Sequence, residues 1–414
     1  MATSNERDGQ APAGPLAGFK VLDLTRNVAG PMATYQLALL GAEVIRIEQP
    51  GQGDRMRFVG PSKHHNAEGL STTYQSINGN KKSIALDLKS EAGRSVFETL
   101  VARADVLVES NRPGVMERLG LGADALRSRH PRLVYCAITG FGQTGPLRDV
   151  PSYDQMMQAV SGLMSVNGTP DTGPLRVGFP LIDTVTAVNA ALGIAAALIE
   201  RERTGVARFV DTSLLDSALS MMSPILGNVL IADSDVKAVG NEPFTGSPFS
   251  GVFRTRDGLI AVAGNTKGQC EQLCRLVGAE DLLDNPWIKE GGGVPRAEGT
   301  AAVRARMSEI YLTRTAAEWE ALMQAHSVPL AKVRDLREIL SHPQVMQGGF
   351  LAEMMDGVSG EPIRVPTSGF QLHGLPRERL RPAPRHAADT DEVLQAFGFD
   401  EAEIRRLRDS GAVQ

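Results

Sequence analysis

Over the first half of the chain, short apolar runs alternate with amphipathic stretches. Lys20–Thr25 (KVLDLT) is β-rich, and Asn27-Val28-Ala29-Gly30-Pro31 then turns into an apolar helix. Pro31 suits a first helical turn, where its missing N–H would be unpaired anyway. Gly41 ends that helix, and Glu43–Glu48 (EVIRIE) reads as the next strand. Ser83–Leu88, Asp105–Glu109 and Leu133–Thr139 are further candidate strands, separated by helical stretches at Glu91–Arg103 and Ala123–Arg129. A long Ala-rich helix is predicted over Thr184–Arg203, then a strand at Phe209–Thr212 and a helix from Leu214. Alternation at this spacing predicts an α/β fold: a Rossmann-like, mostly parallel sheet with right-handed crossovers and helices on both faces.

The texture then changes. Asn241–Ser250 is rich in Gly, Pro and Ser, as in a linker or surface loop. Val252–Arg254 and Leu259–Ala263 flank Asp257-Gly258 and predict a β-hairpin turning on that dipeptide. Helices are expected around Cys270–Val277, Thr300–Tyr311 and Ala316–Ala325, with a loop-rich interruption at Glu290–Glu298. Three segments follow: residues 1–225 as a large Rossmann-like α/β domain, 226–335 as a smaller α+β domain, and 336–414 as a linker returning to the large domain. The last helix, predicted over Thr390–Leu407, puts Val393, Leu394 and Phe397 on one face that must pack on something larger.

Charge narrows the partners. Forty-three basic against 48 acidic side chains give a net charge of −5 over 414 residues, which disfavours a nucleic-acid partner. The polar opening, MATSNERDGQAPAGP, lacks the apolar core of a signal peptide. The run Ala190–Ile199 is only about half of the roughly 20 residues that span a bilayer, so no membrane association is expected. Three cysteines (Cys136, Cys270, Cys274) make no disulfide framework, and the last two lie on one helical face without ligands at zinc spacing. A cytoplasmic protein with reduced thiols, no metal and no permanently bound cofactor is the expectation.

Common catalytic signatures are missing. The chain has no G-x-G-x-x-G after the first strand, no G-x-x-x-x-G-K-[ST], no G-x-S-x-G, no H-E-x-x-H and no C-x-x-C. A nucleophile that needs no base would fit, and a carboxylate with a reference pKa of about 3.9 is already ionised at neutral pH. Carboxylate attack on a thioester gives a mixed anhydride, which keeps the acyl group activated. Asp183 is the best-placed candidate: it follows Val177-Gly178-Phe179-Pro180-Leu181-Ile182 and precedes the long helix, where free N–H groups and the helix dipole would favour its ionised form. By position alone the same residue reads first as an ordinary N-cap, Asp being a preferred residue there.

One stretch carries a resemblance. Tyr153-Asp154, Gln158-Ala159-Val160-Ser161-Gly162, Val177-Gly178 with Pro180 and Asp183, Gly193 and Thr204-Gly205 resemble the family III CoA-transferases, the CaiB/BaiF group that also contains α-methylacyl-CoA racemase. Flanking matches run in order from Val21-Leu22-Asp23-Leu24-Thr25 through Gly140-Phe141-Gly142 to Thr390-Asp391-Glu392-Val393-Leu394, nearly the whole chain. The resemblance implies that Asp183 forms an acyl anhydride and then a CoA thioester, that CoA lies across the Rossmann-like domain, and that two chains interlock as a homodimer. It implies an acyl-CoA donor and a carboxylic acid acceptor, with coenzyme A as substrate.

For CoA phosphates the candidates are Arg46, Arg55, Arg57, Lys81, Lys82, Arg112 and Arg118, with Gln49, Ser110 and Asn111 beside them; Arg118 matches the family pattern best. Gly140 and Gly142 are candidate oxyanion donors, and Tyr153 and Val28 are placed beside the acyl group. Val28 stands where some members carry Gln, and no multi-glycine active-site loop is in register, since Gly291-Gly292-Gly293 falls in another context, so formate or oxalate specificity is not expected. A small dicarboxylate acceptor and a succinyl-CoA donor are the preferred pair, Arg148, Arg176 and Arg254 being available for a distal carboxylate. The alternatives are α-proton exchange, as in a racemase or epimerase, and non-catalytic CoA binding. The racemase branch carries a His where this chain has Tyr153, a poor base at neutral pH.

Overall fold

The computed structural model describes residues 14–169, 171–243, 246–289, 300–374 and 380–414. The polar opening up to residue 13, the loop 290–298 with its three glycines, and residues 244–245 of the Gly/Pro/Ser stretch lie outside the described residues.

Six strands form one parallel sheet: β1 (Lys20–Leu24), β2 (Glu43–Glu48), β3 (Lys81–Ala85), β4 (Val106–Glu109), β5 (Val134–Thr139) and β6 (Phe209–Ser213), in the order β3-β2-β1-β4-β5-β6. Every residue of β4 and β5 is buried, as expected of strands covered on both faces. One face carries α1 (Ala29–Leu39), and the other α2 (Glu91–Val101), whose Val96, Phe97 and Leu100 pack with Leu22, Ile45 and Leu107. On the α1 face lie also α3 (Asp154–Val160), the 24-residue α4 (Leu181–Thr204) and α5 (Leu214–Met221), with Met157, Ile182, Ala187, Ile194 and Ala218 in the same core as Ala33 and Val108. By length and composition alone α4 is long and apolar enough to cross a membrane. Its Ala187–Ala190–Ile194–Leu198 side is instead core.

The chain end returns to this unit. Val393, Leu394, Phe397, Ile404 and Val413 join the core on the α2 face. The expected single helix is two, Thr390–Ala396 and Glu401–Asp409. Gly398 at φ +98° ends the first, and Asp400 with Glu403 caps the second in a reciprocal capping box.

The second compact unit comprises Met164–Leu175 and Val236–Val345, against the 226–335 read from the sequence. Its antiparallel sheet is β7 (Ser250–Arg254), β8 (Leu259–Ala263) and β9 (Leu330–Lys332). The hairpin does not turn on Asp257-Gly258. Arg254 pairs with Leu259 and the Thr255 N–H donates to Gly258 O at 2.9 Å, which puts Arg256-Asp257 at the tip. Cys270 and Cys274 are free thiols packed with Phe249, Trp287 and Trp319, and Cys136 is a free thiol buried in β5.

Candidate active site

Parallel sheets bind ligands beyond the carboxyl ends of their strands, where the strand order reverses. Here that point lies between β1 and β4. The two loops are tied together: Ser110 Oγ accepts the Arg26 N–H at 2.9 Å. Asn27 adopts a left-handed conformation (φ 64°) and donates its N–H to Asp54 Oδ2 at 3.2 Å. Val28 follows, half-buried at the head of α1. On the β4 side, Glu109 Oε2 accepts both the backbone N–H (2.6 Å) and Nδ2 (3.1 Å) of Asn111. Burial pushes the Glu109 carboxyl up to about 7 against the pull of those bonds, with Glu117 and Asp211 adding to the rise.

The crossover from β5 to β6 delivers Asp183 to the same edge. At the far end of α4, Arg201 Nη2 reaches Asp105 Oδ1 at 3.0 Å and Nη1 reaches Arg132 O at 3.1 Å, both just ahead of strands β4 and β5. The C-terminus of α4 is thereby fixed at the amino edge of the sheet, so its N-terminus lies at the carboxyl edge. Asp183 is the third residue of α4, half-buried, and does not cap it. That place is taken by Asp154, whose Oδ1 accepts the N–H groups of Ile182 (2.7 Å) and Asp183 (3.2 Å). Gln158 holds the other oxygen, donating Nε2 to Asp154 Oδ2 at 2.7 Å while its Oε1 accepts the Val177 N–H at 2.8 Å. Asp183 thus does not receive the free helix-head N–H groups expected to favour its ionised form. Burial, and then the neighbouring charge of Asp154, push its carboxyl up to about 7.

The glycine loop lies against this cluster. A Cβ on Gly140 would stand 2.1 Å from Ser152 Oγ, so only glycine lets β5 run this close to the head of α3. The Gly142 N–H is donated to Thr139 Oγ1 at 2.9 Å and that of Gln143 to Asp211 Oδ2 at 3.1 Å. Gly142 therefore does not offer the outward oxyanion donor expected of it, and the Gly140 carbonyl accepts from Leu215. Tyr153, just ahead of α3, is exposed.

The cation candidates divide sharply. Arg46, Arg57 and Lys81 are buried and already engaged by protein groups, Arg57 donating Nε to Glu48 Oε1 at 2.9 Å, which corrects their assignment to phosphate. Arg46 meets Asp23 (3.4 Å), Glu48 (3.5 Å) and Asp54 (2.5 Å). Lys81 Nζ donates to Asp23 Oδ2, Pro31 O, Thr34 Oγ1 and Asn78 Oδ1 at 2.8–3.0 Å. Lys82 is engaged by Glu43 and Glu392, each at 3.0 Å. Arg55, Arg112 and Arg118 are exposed and follow the carboxyl ends of β2 and β4, as does the exposed Gln49. Arg26, Glu109, Asp154 and Gln158 were not singled out as site residues. The i, i+4 spacing of Asp154 and Gln158 ahead of a Pro-led helix was the available signal.

Comparison with known proteins decides the family. The model of CoA-transferase family III matches residues 16–390. The chain belongs to CoA-transferase family III. Among curated members, it is 34% identical over 400 residues to the human succinyl-CoA:glutarate CoA-transferase, covering 96% of this chain and 90% of the relative. It is 36% identical over 393 residues to the acetyl-CoA:oxalate CoA-transferase of Acetobacter aceti, covering 94% and 98%. The solved structure of a mutant of Rv3272 from Mycobacterium tuberculosis superposes with a TM-score of 0.81 at 31% identity, covering 92% of this chain and 99% of that one. As a family III protein the chain is an enzyme of the CoA-transferase type, with CoA thioesters as substrates.

Proposed function

We propose that this enzyme moves CoA from a donor acyl-CoA, succinyl-CoA first among them, to a small dicarboxylate, with Asp183 as the covalent carrier. The observation that carries the reading is the placement of Asp183: a half-buried carboxylate beside the Gly140 loop, at the same carboxyl edge of the sheet as the β1–β4 switch point. An Asp183 carboxylate oxygen attacks the thioester carbon, the C–S bond breaks, and CoA thiolate leaves an acyl-aspartyl anhydride. The thiolate attacks the Asp183 carbonyl of that anhydride, releasing the donor acid and leaving aspartyl-CoA thioester. The acceptor carboxylate repeats both steps in reverse and departs as its CoA thioester, with Asp183 restored. No proton is transferred and no water enters, so activation is conserved throughout.

Exposed Arg55, Arg112 and Arg118 are the proposed phosphate contacts, with Gln49, Ser110 and Asn111 along the path of CoA; Val28 and Tyr153 flank the acyl group. The names of both relatives, which act on glutarate and oxalate, support a dicarboxylate acceptor. The exposed stripe of Val188, Leu192 and Ile199 on α4 supports an interlocked homodimer, since such an apolar face is normally covered. Buried free thiols support a reducing, cytoplasmic setting.

The test is to incubate the protein with succinyl-CoA alone, add hydroxylamine, and locate the modified residue by mass spectrometry. A hydroxamate at Asp183, absent from Asp183→Ala, is the expected result, with glutaryl-CoA formed once glutarate is added. Measurable CoA binding without an adduct from any of several donors would remove the covalent carrier. Solvent deuterium entering the acyl α-carbon without acceptor would then favour a racemase.

A further inference from the structure

We propose that Asp154 is a positioning residue for Asp183: its carboxylate occupies the N–H groups at the head of α4 and stands as a second negative charge beside the nucleophile. The inference rests on Asp183 being the covalent carrier.

A helix head ordinarily presents free N–H groups and the positive end of the macrodipole, both of which make a nearby carboxylate less basic. In this protein those donors are spent. Asp154 Oδ1 takes the Ile182 and Asp183 N–H groups, and the completely buried Gln158 fixes Asp154 through its second oxygen. Gln158 also fixes the approach to the helix, accepting from Val177 N and donating to Phe179 O. The same bonds that orient the first turn of α4 therefore remove the influence that would have acidified Asp183.

Other charged or titratable groups on the packed elements are directed elsewhere. α1 has none but Tyr35, whose hydroxyl donates to Pro366 O. Asp216 of α5 is bonded to Ser213, and Asp211 of β6 to the Gln143 N–H. Tyr135 and Cys136 of β5 are buried, and Tyr153 is exposed ahead of α3. Among the described residues Asp154 is thus the charge beside the Asp183 carboxyl, which burial first and then this charge push up to about 7. A more basic carboxylate is a stronger nucleophile once ionised, at the cost of a smaller ionised fraction below neutrality.

The experiment follows hydroxamate formation at Asp183 against pH, using succinyl-CoA and hydroxylamine, in wild type, Asp154→Asn and Gln158→Ala. The Asn variant keeps an oxygen for the two N–H groups and deletes the charge; its acid limb should move to lower pH by about one unit or more. Gln158→Ala loosens the clamp and leaves the charge, so it should lower the rate without moving the limb. An Asp154→Asn limb coincident with wild type overturns the proposal. Absence of any wild-type adduct at Asp183 instead removes the carrier on which it rests. Carboxyl 13C titration of the wild type, assigned by loss in Asp183→Asn, tests the same coupling should the Asp154 variant not fold. An Asp183 carboxyl titrating near 7 is expected, and one titrating at the ordinary Asp value overturns the idea.

Discussion

Arg201 and Asp105 are joined at 3.0 Å although 96 residues separate them, and the contact pins the C-terminal end of the helix that carries Asp183 to the amino edge of the sheet. The Arg201 side chain is almost wholly buried and spends its guanidinium on Asp105, on the Asp105 and Arg132 carbonyls and on Glu202. Arg201→Met keeps the stem and removes these charge-assisted bonds. Urea unfolding should report a loss of about 2 kcal/mol, and an unchanged midpoint would show that the pin carries no stability.

Burial separates basic residues that look alike in sequence. Lys81→Met or Arg46→Met strips a partner from Asp23 and leaves buried charge uncompensated, which costs about 3–5 kcal/mol. Arg118→Ala, at an exposed position, should change stability by no more than about 0.5 kcal/mol. It should instead raise KM for the acyl-CoA, with kcat little altered. Paired melts and initial rates check both halves; a destabilised Arg118→Ala with normal KM would reverse the assignment.

The sheet was legible because its strands are buried on both faces and so appear as apolar runs, Val106–Glu109 and Val134–Thr139 being the plainest. The inward direction of Arg46 was also encoded, though only in pairing: the register sets Asp23 of β1 beside Arg46 of β2, and Arg46 beside Ser83 of β3. Read along one strand, EVIRIE offers a basic residue near a ligand edge and nothing to say which face it takes. Asp183 was singled out by resemblance, while its surroundings were not legible, because the carboxylate that caps α4 comes from α3, some thirty residues earlier. Gly398 was passed over as a helix interruption inside an otherwise apolar-periodic stretch, and its positive φ splits that stretch in two.

Gly140 leads to a rescue experiment. An alanine there would drive its methyl into Ser152, at 2.1 Å from Oγ and 2.5 Å from Cβ, and displace the head of α3 that holds Asp154. Transferase activity of Gly140→Ala should fall by an order of magnitude or more, since misplacing a reacting group by about 1 Å can cost 10²-fold. Gly140→Ala/Ser152→Gly vacates the colliding atoms and should recover most of it. A double variant as impaired as the single one would mean that the glycine serves something other than close approach.

Asp183 should also make stability depend on pH, in a direction opposite to an ion-paired carboxylate. Its carboxyl sits at about 7 in the native protein against an ordinary value of 3.8. Between those values the native state binds more protons than the unfolded chain, so stability falls as pH rises from about 4 to about 7 and then levels off. Below both values the group contributes nothing. Asp183→Asn keeps the side-chain volume and removes the ionisation, so it should be more stable than wild type. The difference should be small at pH 5 and larger at pH 8, on the order of 1–2 kcal/mol for a half-buried group with some solvent screening. Urea unfolding of both proteins at the two pH values measures it directly. A variant equally stabilised at both, or destabilised at pH 8, would mean that Asp183 is ionised in the native protein at no cost, and that neither burial nor Asp154 raises its basicity.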